Sequence, residues 1–227
     1  MNEICEAPTV LIPAAGFGTR VGSPPAKELL LRPNSGEPLI QAPLMWAQER
    51  HWNAVVITRH DKQLLIDFLT LQFPMVKLCL VDSTPDWTTT MSLSHAYWTN
   101  KNILILPDVE FSPVDVLDQI NIGLDDHDVM VGSHSVSDCQ NWGFLRKISA
   151  HLFEVSEKPN KALRAEERAW GVLGFRGSIG HSLFESQRQS QREDSPKVLE
   201  GRLGECPLDH FRDLTRDTSI LSTEVLL

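Results

Sequence analysis

The sequence predicts an α/β fold, a doubly wound and mostly parallel sheet with a small antiparallel insertion. Three observations lead there. Apolar, strand-sized runs alternate with helical stretches as far as residue 136. The first apolar run breaks into a glycine loop, at the end of a strand where open parallel sheets bind ligands. Beyond residue 136 the rhythm changes, and strand-like runs follow one another without an intervening helix.

The elements follow in order. Residues 10–15, VLIPAA, are continuously apolar, as a strand buried on both faces should be. Residues 38–50 read as a helix with Pro38 in its first turn. AVVIT at 54–58 is a second buried strand. In 61–73, Leu64, Leu65, Phe68 and Leu69 share one helical face, and Asp61 suits the cap or first turn. Strands at 76–82, 102–111 and 128–136 alternate with helices at 88–98 and 113–124. WGFLRKIS, HLFEVSEKP and WGVLGFRG then read as strands of an antiparallel insertion over the mouth of the sheet. Residues 180–192 and 196–204 read as polar helices, and 211–220 is open to either structure.

The bulk properties bound the function. The 227 residues suit one domain, and 41% hydrophobic with 22% charged residues is ordinary for a globular protein with a real core. A net charge of −9 argues against a broad nucleic-acid surface. It leaves room for one local cationic pocket. Cys5, Cys79, Cys139 and Cys206 form no CxxC pair, so they suggest neither a zinc site nor a disulfide framework. The start, MNEICEAPTV, lacks the apolar core of a signal peptide, and the apolar runs are too short to span a membrane. A cytoplasmic protein with no membrane partner is the expectation.

The loop Gly16-Phe-Gly18-Thr19-Arg20 admits three readings. A dinucleotide loop wants G-x-G-x-x-G, but the sixth position is Val21 and Gly22 comes one residue late. The next residues, SPPAKELLL, do not open a helix, and the second strand ends in Thr58-Arg59-His60 with no ribose-binding acid. A Walker loop wants G-K-[ST], which is absent. The third reading is a turn with no ligand.

Arg20, then Lys27-Glu-Leu-Leu-Leu, then Pro38-Leu39-Ile40 complete a pattern that resembles the sugar-1-phosphate nucleotidylyltransferases. The wording IPAAG and AKELL is most similar to the bacterial UTP-glucose-1-phosphate uridylyltransferases. The resemblance runs from residue 9 to about 218 and weakens after 180. It implies a Rossmann-like nucleotide-diphospho-sugar transferase fold. It also implies one catalytic domain over 1–227, binding nucleotide within about 8–135 and sugar phosphate within about 136–218. The chain stops soon after the last motif, so no appended β-helix or long helical region is expected. Its partners would be an NTP, UTP or dTTP by resemblance, and a sugar-1-phosphate. No nucleic acid is expected, and a homo-oligomer is left open.

Residue roles follow from the same resemblance. Arg20, Lys27, Asp108 and Lys158 would be catalytic. Ala14, Ala15, Gly16, Gly18 and Thr19, with Trp87 and Ser92, would bind the nucleotide. Gly143, Glu157 and Lys158 would bind the sugar phosphate. Asp108 in LPDV and Asp213 in FRDLTRD would hold Mg²⁺. The second match departs where Gly-Thr becomes Thr215-Arg216, and Asp209 and Asp217 are rivals.

The base pocket departs further. Trp87 stands where the family commonly has a base-reading glutamine, and Ser92 and Ser94 replace glycines. A tryptophan there can stack on a base or simply pack. TTTMSL resembles a segment of choline-phosphate cytidylyltransferases, so a cytidylyltransferase for choline phosphate or an alditol phosphate is the first alternative. A non-catalytic nucleotide sensor is the second. No nucleophile motif appears, as suits a reaction whose attacking group is already an anion.

Overall fold

The computed structural model describes residues 7–19, 22, 26–32, 35–137, 139–160 and 168–215. The strands β1 (Thr9–Pro13), β2 (Asn53–Arg59), β3 (Lys77–Val81) and β4 (Lys101–Ile105) lie parallel in the spatial order β4-β1-β2-β3. Their run of Val, Ile and Leu fits strands covered on both faces. The covering helices are α1 (Gln41–Glu49), α2 (Gln63–Gln72), α3 (Trp87–Leu93), α4 (Val116–Gly123) and α5 (Gly177–Glu193). Two apolar clusters result, one on each face. Leu44, Leu65, Leu69 and Ile120 pack with Val10 and Ile12 on the first. Met91, Leu183 and Phe184 pack with Leu11 and Leu104 on the second.

The strands after residue 128 extend this same sheet. The nine-residue β9 (Arg168–Arg176) runs antiparallel to β4 and to β6 (Val129–Ser135). It also meets β7 (Gly143–Ser149) at Phe144↔Ala169, and β8 (Leu152–Glu157) and β10 (Lys197–Glu200) continue outward. The antiparallel strands expected as an insertion are therefore continuous with the parallel half of the sheet, joined through β9. In a separate two-stranded sheet, β5 (Val109–Ser112) pairs with β12 (His210–Asp213).

Several expected elements change in detail. The helix expected at 196–204 is instead β10 and β11 (Leu203–Pro207). Helix α5 stops at Asp194, in the left-handed region at φ 47°, and Pro196 bars its continuation. The open edge of β8 and the flank of β6 then supply partners that make strand the better choice. The strand expected at 102–111 breaks at Pro107 into β4 and β5, and 88–98 divides into α3 and a 3₁₀ turn over His95–Tyr97. Residues 211–213, left open above, belong to β12. Asp61 does not cap α2. Its carboxylate holds Arg59 at 2.8 Å, while Lys62 occupies the cap position. No helix among the described residues is long and apolar enough to cross a membrane.

Gly174 shows how closely α4 lies on the sheet: a Cβ there would overlap Ile120 Cγ2 and reach Leu124 at 3.3 Å. Gly174→Ala should therefore overpack this seam and destabilise the fold by about 1–3 kcal/mol. Urea unfolding followed by circular dichroism reads this as a lower midpoint, and an unchanged midpoint would contradict the packing.

Candidate active site

Strand β1 has β2 on one side and β4 on the other, so the chain turns opposite ways at the carboxyl ends of β1 and β4. Such a switch point opens a crevice. Here it is a cleft of about 370 Å³. Gly16, Lys27 and Asp108 line one end, and Gly143, Glu157 and Lys158 line the other.

The first end is a charge cluster. Lys27 Nζ donates to Asp108 Oδ2 at 2.7 Å. Asp108 ends the segment after β4, and the register Asp213↔Val109 brings Asp213 beside it. Leu214 N donates to Asp108 O at 2.9 Å, which ties the two segments together. The Thr215 hydroxyl lies 3.0 Å from Asp108 Oδ2 and 2.8 Å from Asp213 Oδ1, bridging the carboxylates. Burial by itself would raise the Asp108 carboxyl, but the Lys27 charge and the hydrogen bonds from Lys27 and Thr215 hold it below the ordinary carboxylate range. Burial would likewise lower Lys27, and the fields of Asp108, Glu28 and Asp213 outweigh it and raise the ammonium.

This pair of carboxylates suits Mg²⁺. That ion takes hard oxygen ligands and is commonly held by one or two carboxylates, with phosphates and water completing its shell. Among the described residues no group of three or more His, Cys, Asp or Glu side chains gathers to form an all-protein cage.

The glycine loop is braced from beneath. Lys62 Nζ donates to Ala14 O at 2.8 Å and to both oxygens of Glu28 at 2.8 and 2.9 Å. Arg59 Nη1 donates to Ala15 O at 2.7 Å, and its guanidinium lies 3.9 Å over the Phe17 ring. Lys62 and Glu28 are 3% and 0% exposed, so their pairing is a buried one. Because Glu28 follows Lys27, one 3₁₀ turn sends Lys27 to Asp108 and Glu28 to the loop's support.

The far end of the cleft is built on β7, β8 and β9. Lys158 follows β8 in the left-handed region at φ 48°, and its N–H bonds Trp142 O at 2.9 Å. Strain of this kind in a non-glycine residue collects at functional sites. Glu157 is buried, its Oε1 receiving the Trp87 indole N–H at 3.1 Å and lying 3.7 Å from Lys158 Nζ. Burial pushes its carboxyl up, against the Lys158 charge and the Trp87 bond. Gly143 is required: a Cβ there would run into Trp170 Nε1 and come within 2.5 Å of Glu157 Oε2.

Of the residues expected from sequence, Ala15, Gly16, Lys27, Trp87, Asp108, Gly143, Glu157, Lys158 and Asp213 line the cleft together. Ala14 lies beneath the loop, its carbonyl bound by Lys62. Gly18, at φ 67°, and the exposed Thr19 continue the loop beyond the cleft wall. Ser92 is on α3 away from the lining, its hydroxyl donating to Thr88 O at 3.1 Å. Trp87 turns its N–H to Glu157 and packs its ring on Trp170 and Phe184, so that polar atom is not free to read a base edge. Asp209 sits at the other end of β12, its N–H bonded to Ser112 O. Arg20, Cys5 and Asp217 lie outside the described residues. Sequence reasoning missed Arg59, Lys62, Glu28, Trp170 and Thr215. A cation pair after the second strand was the one visible signal for the first two.

The chain matches solved structures along nearly its whole length. A protein assigned as a glucose-1-phosphate thymidylyltransferase from Bacillus anthracis, solved with sucrose, superposes with a TM-score of 0.68 at 19% identity, covering 92% of this chain and 90% of that one. A UDP-glucose pyrophosphorylase solved with UDP-glucose gives 0.67 at 18%, covering 94% and 96%. HddC from Yersinia pseudotuberculosis, solved with GMP-PN, gives 0.65 at 18%, covering 93% and 96%. The fold is that of the sugar-1-phosphate nucleotidylyltransferases. No protein-family model matches the chain, and no curated protein matches its sequence. Within this nucleotidylyltransferase fold the cleft lies where β1 and β4 part.

Two outcomes test the electrostatics. Lys62→Met leaves Glu28 buried without its cation and should cost about 3–5 kcal/mol in denaturant unfolding, whereas an effect below about 1 kcal/mol would show the pair to be idle. The depressed Asp108 contributes stability above its unfolded value of about 3.9, lost as pH falls through its lower folded value. The raised Lys27 contributes stability below its unfolded value of about 10.4, lost only as pH rises through its higher folded value. The stability gap between wild type and Lys27→Met should therefore hold steady from about pH 5 to 9 and shrink below about pH 4. A gap indifferent to acid would sink this account.

Proposed function

We propose that the protein is a nucleotidylyltransferase that joins a sugar-1-phosphate to an NTP, UTP or dTTP, and releases pyrophosphate. The observation that carries this reading is that one cleft is lined by two lysine–carboxylate sets, Lys27 with Asp108 and Asp213, and Lys158 with Glu157. The shared fold supports it.

In the reaction a sugar phosphate oxygen attacks the α-phosphorus, a new P–O bond forms, and the bond to the β-phosphate bridging oxygen breaks. The nucleophile is already an anion, so no general base is needed. Charge is the obstacle: two unit charges about 5 Å apart repel by roughly 3 kcal/mol at an effective dielectric near 20. A triphosphate meeting a phosphate dianion multiplies that. Cations held in place before the reaction lower the barrier without reorganising. Lys27 and Lys158 would flank the α-phosphate and the attacking phosphate, and Arg20 would hold the triphosphate and the departing pyrophosphate. Asp108 and Asp213 would hold Mg²⁺, which when bound supplies positive charge to the phosphates. Lys27 must then exchange its bond to Asp108 for substrate oxygens. Backbone amides of the loop Ala15–Thr19 would take the β- and γ-phosphates. The nucleotide would occupy the half over 8–135 and the sugar phosphate that over 136–218, within one catalytic domain.

The test is pyrophosphate release across a matrix of NTPs, sugar-1-phosphates and choline phosphate, with Mg²⁺ and with chelator. Turnover should need Mg²⁺ and fall at least about a hundredfold in Arg20→Ala and in Asp108→Asn, in proteins that remain folded. Near-wild-type turnover in either variant would remove the site assignment. Silence across the matrix with NTP binding intact would favour a nucleotide sensor.

A further inference from the structure

Among the described residues, two buried polar atoms beside the cleft have no partner: Glu157 Oε2 and Trp170 Nε1. Their side chains belong to residues only 3% and 7% exposed. A buried donor or acceptor left unmade costs about 1–3 kcal/mol, so two at one spot need a reason. They share that spot, since both crowd the position a Cβ of Gly143 would take, and both residues line the cleft. One is an acceptor and the other can only donate.

We infer that Trp170 is a specificity-determining residue, its indole N–H acting with Glu157 Oε2 to read one neutral hydroxyl of the substrate's phosphorylated alcohol. The inference rests on the nucleotidyl-transfer reading above and narrows its second substrate. A hydroxyl is the simplest group that satisfies both atoms, accepting from Trp170 while donating to Glu157. An amine in its ammonium form has no acceptor and would leave the indole unpaired. A quaternary ammonium would satisfy neither by hydrogen bonding.

The surroundings argue the same way. Glu157 Oε1 already receives the Trp87 N–H at 3.1 Å and has the Lys158 ammonium at 3.7 Å. Trp87 and Trp170 pack together with ring centroids 5.5 Å apart. Two indole nitrogens therefore lie beside one carboxylate, and only that of Trp87 is bonded to it. The edge of an aromatic ring is its positive part, so a cation entering here meets positive edges and Lys158. A choline-type headgroup, which favours aromatic faces, is disfavoured. A polyol carries the neutral hydroxyl that satisfies both atoms.

The experiment takes the sugar-1-phosphate turned over fastest among the glucose, galactose, mannose and N-acetylglucosamine 1-phosphates, with its monodeoxy analogues, one per hydroxyl. Wild type and Trp170→Phe, which keeps the ring and loses the N–H, are compared by kcat/KM. One deoxy analogue should lose about tenfold or more with wild type. Trp170→Phe should lose about tenfold with the parent sugar, leave KM for the NTP unchanged, and show little further loss with that one analogue. Losses that add at every hydroxyl, or a wild type indifferent to every deoxygenation, overturn the inference. The wild-type series decides it even if Trp170→Phe does not fold. Preference for choline phosphate also overturns it, while nucleotidyl transfer stands. If nothing in the matrix reacts, the proposed function fails, and calorimetric titration with glucose-1-phosphate judges the hydroxyl pair alone. Binding weakened in Trp170→Phe keeps it. Equal binding, or none to wild type, removes it.

Discussion

The pairing of β1 with β4 is the constraint on which the site depends. Their parallel register, Val10↔Ile103 and Leu11↔Leu104, puts two carboxyl ends side by side, and each end carries one half of a charge cluster. From β1 comes the glycine loop and then Lys27, and from β4 comes Asp108. The 2.7 Å bond between them closes the gap and holds each group in its charged form despite burial. Everything else at this end is arranged around that bond. The small sheet β5–β12 adds Asp213, and the Thr215 hydroxyl keeps the two carboxylates together.

The two ends of the cleft treat buried polarity in opposite ways. Beneath the loop, Lys62 has three acceptors within 2.9 Å and Arg59 has Ala15 O and Asp61, so the charges are satisfied inside the protein. A saturated network of this kind makes rigid support. Around Gly143 the polarity is left incomplete among the described residues, with one oxygen of Glu157 and one indole nitrogen buried without a partner in two residues that line the cleft. An incomplete buried set is costly to the empty protein and useful only if something arrives to complete it. Strand β9 links the two ends, pairing with β4 at Ile105↔Val172 and with β7 at Phe144↔Ala169. Trp170 sits between those two pairings, so the support of one end is mechanically joined to the reading surface of the other.

Much of this was legible in the sequence, and the limits have physical causes. Period and composition gave the alternating strands and helices to within a few residues, because short continuous runs rich in Val and Ile suit strands covered on both faces. The segment 196–204 read as helix because local propensity says nothing of an unfilled sheet edge, and β8 and β6 supplied partners that outweighed it. At the site, the resemblance to the nucleotidylyltransferases named Lys27, Asp108, Gly143, Glu157 and Lys158 before any contact was known; a Glu-Lys pair before a proline would by itself read as a solvated turn. Trp87 could not be given a direction. Its indole faces Glu157 from a distant part of the chain.

The sequence by itself determined the fold class, the glycine loop with its cations, and the carboxylates that end the key strands. Each of these depends on residue type within a short window. Only the tertiary structure decided that Asp213 lies beside Asp108, that Glu28 and Lys62 brace the loop, and that the Trp170 donor is buried next to Glu157 without a partner among the described residues. Those are pairings across many residues, fixed by strand register and by the demand that buried polar groups find partners, and neither demand is written in any one stretch of chain.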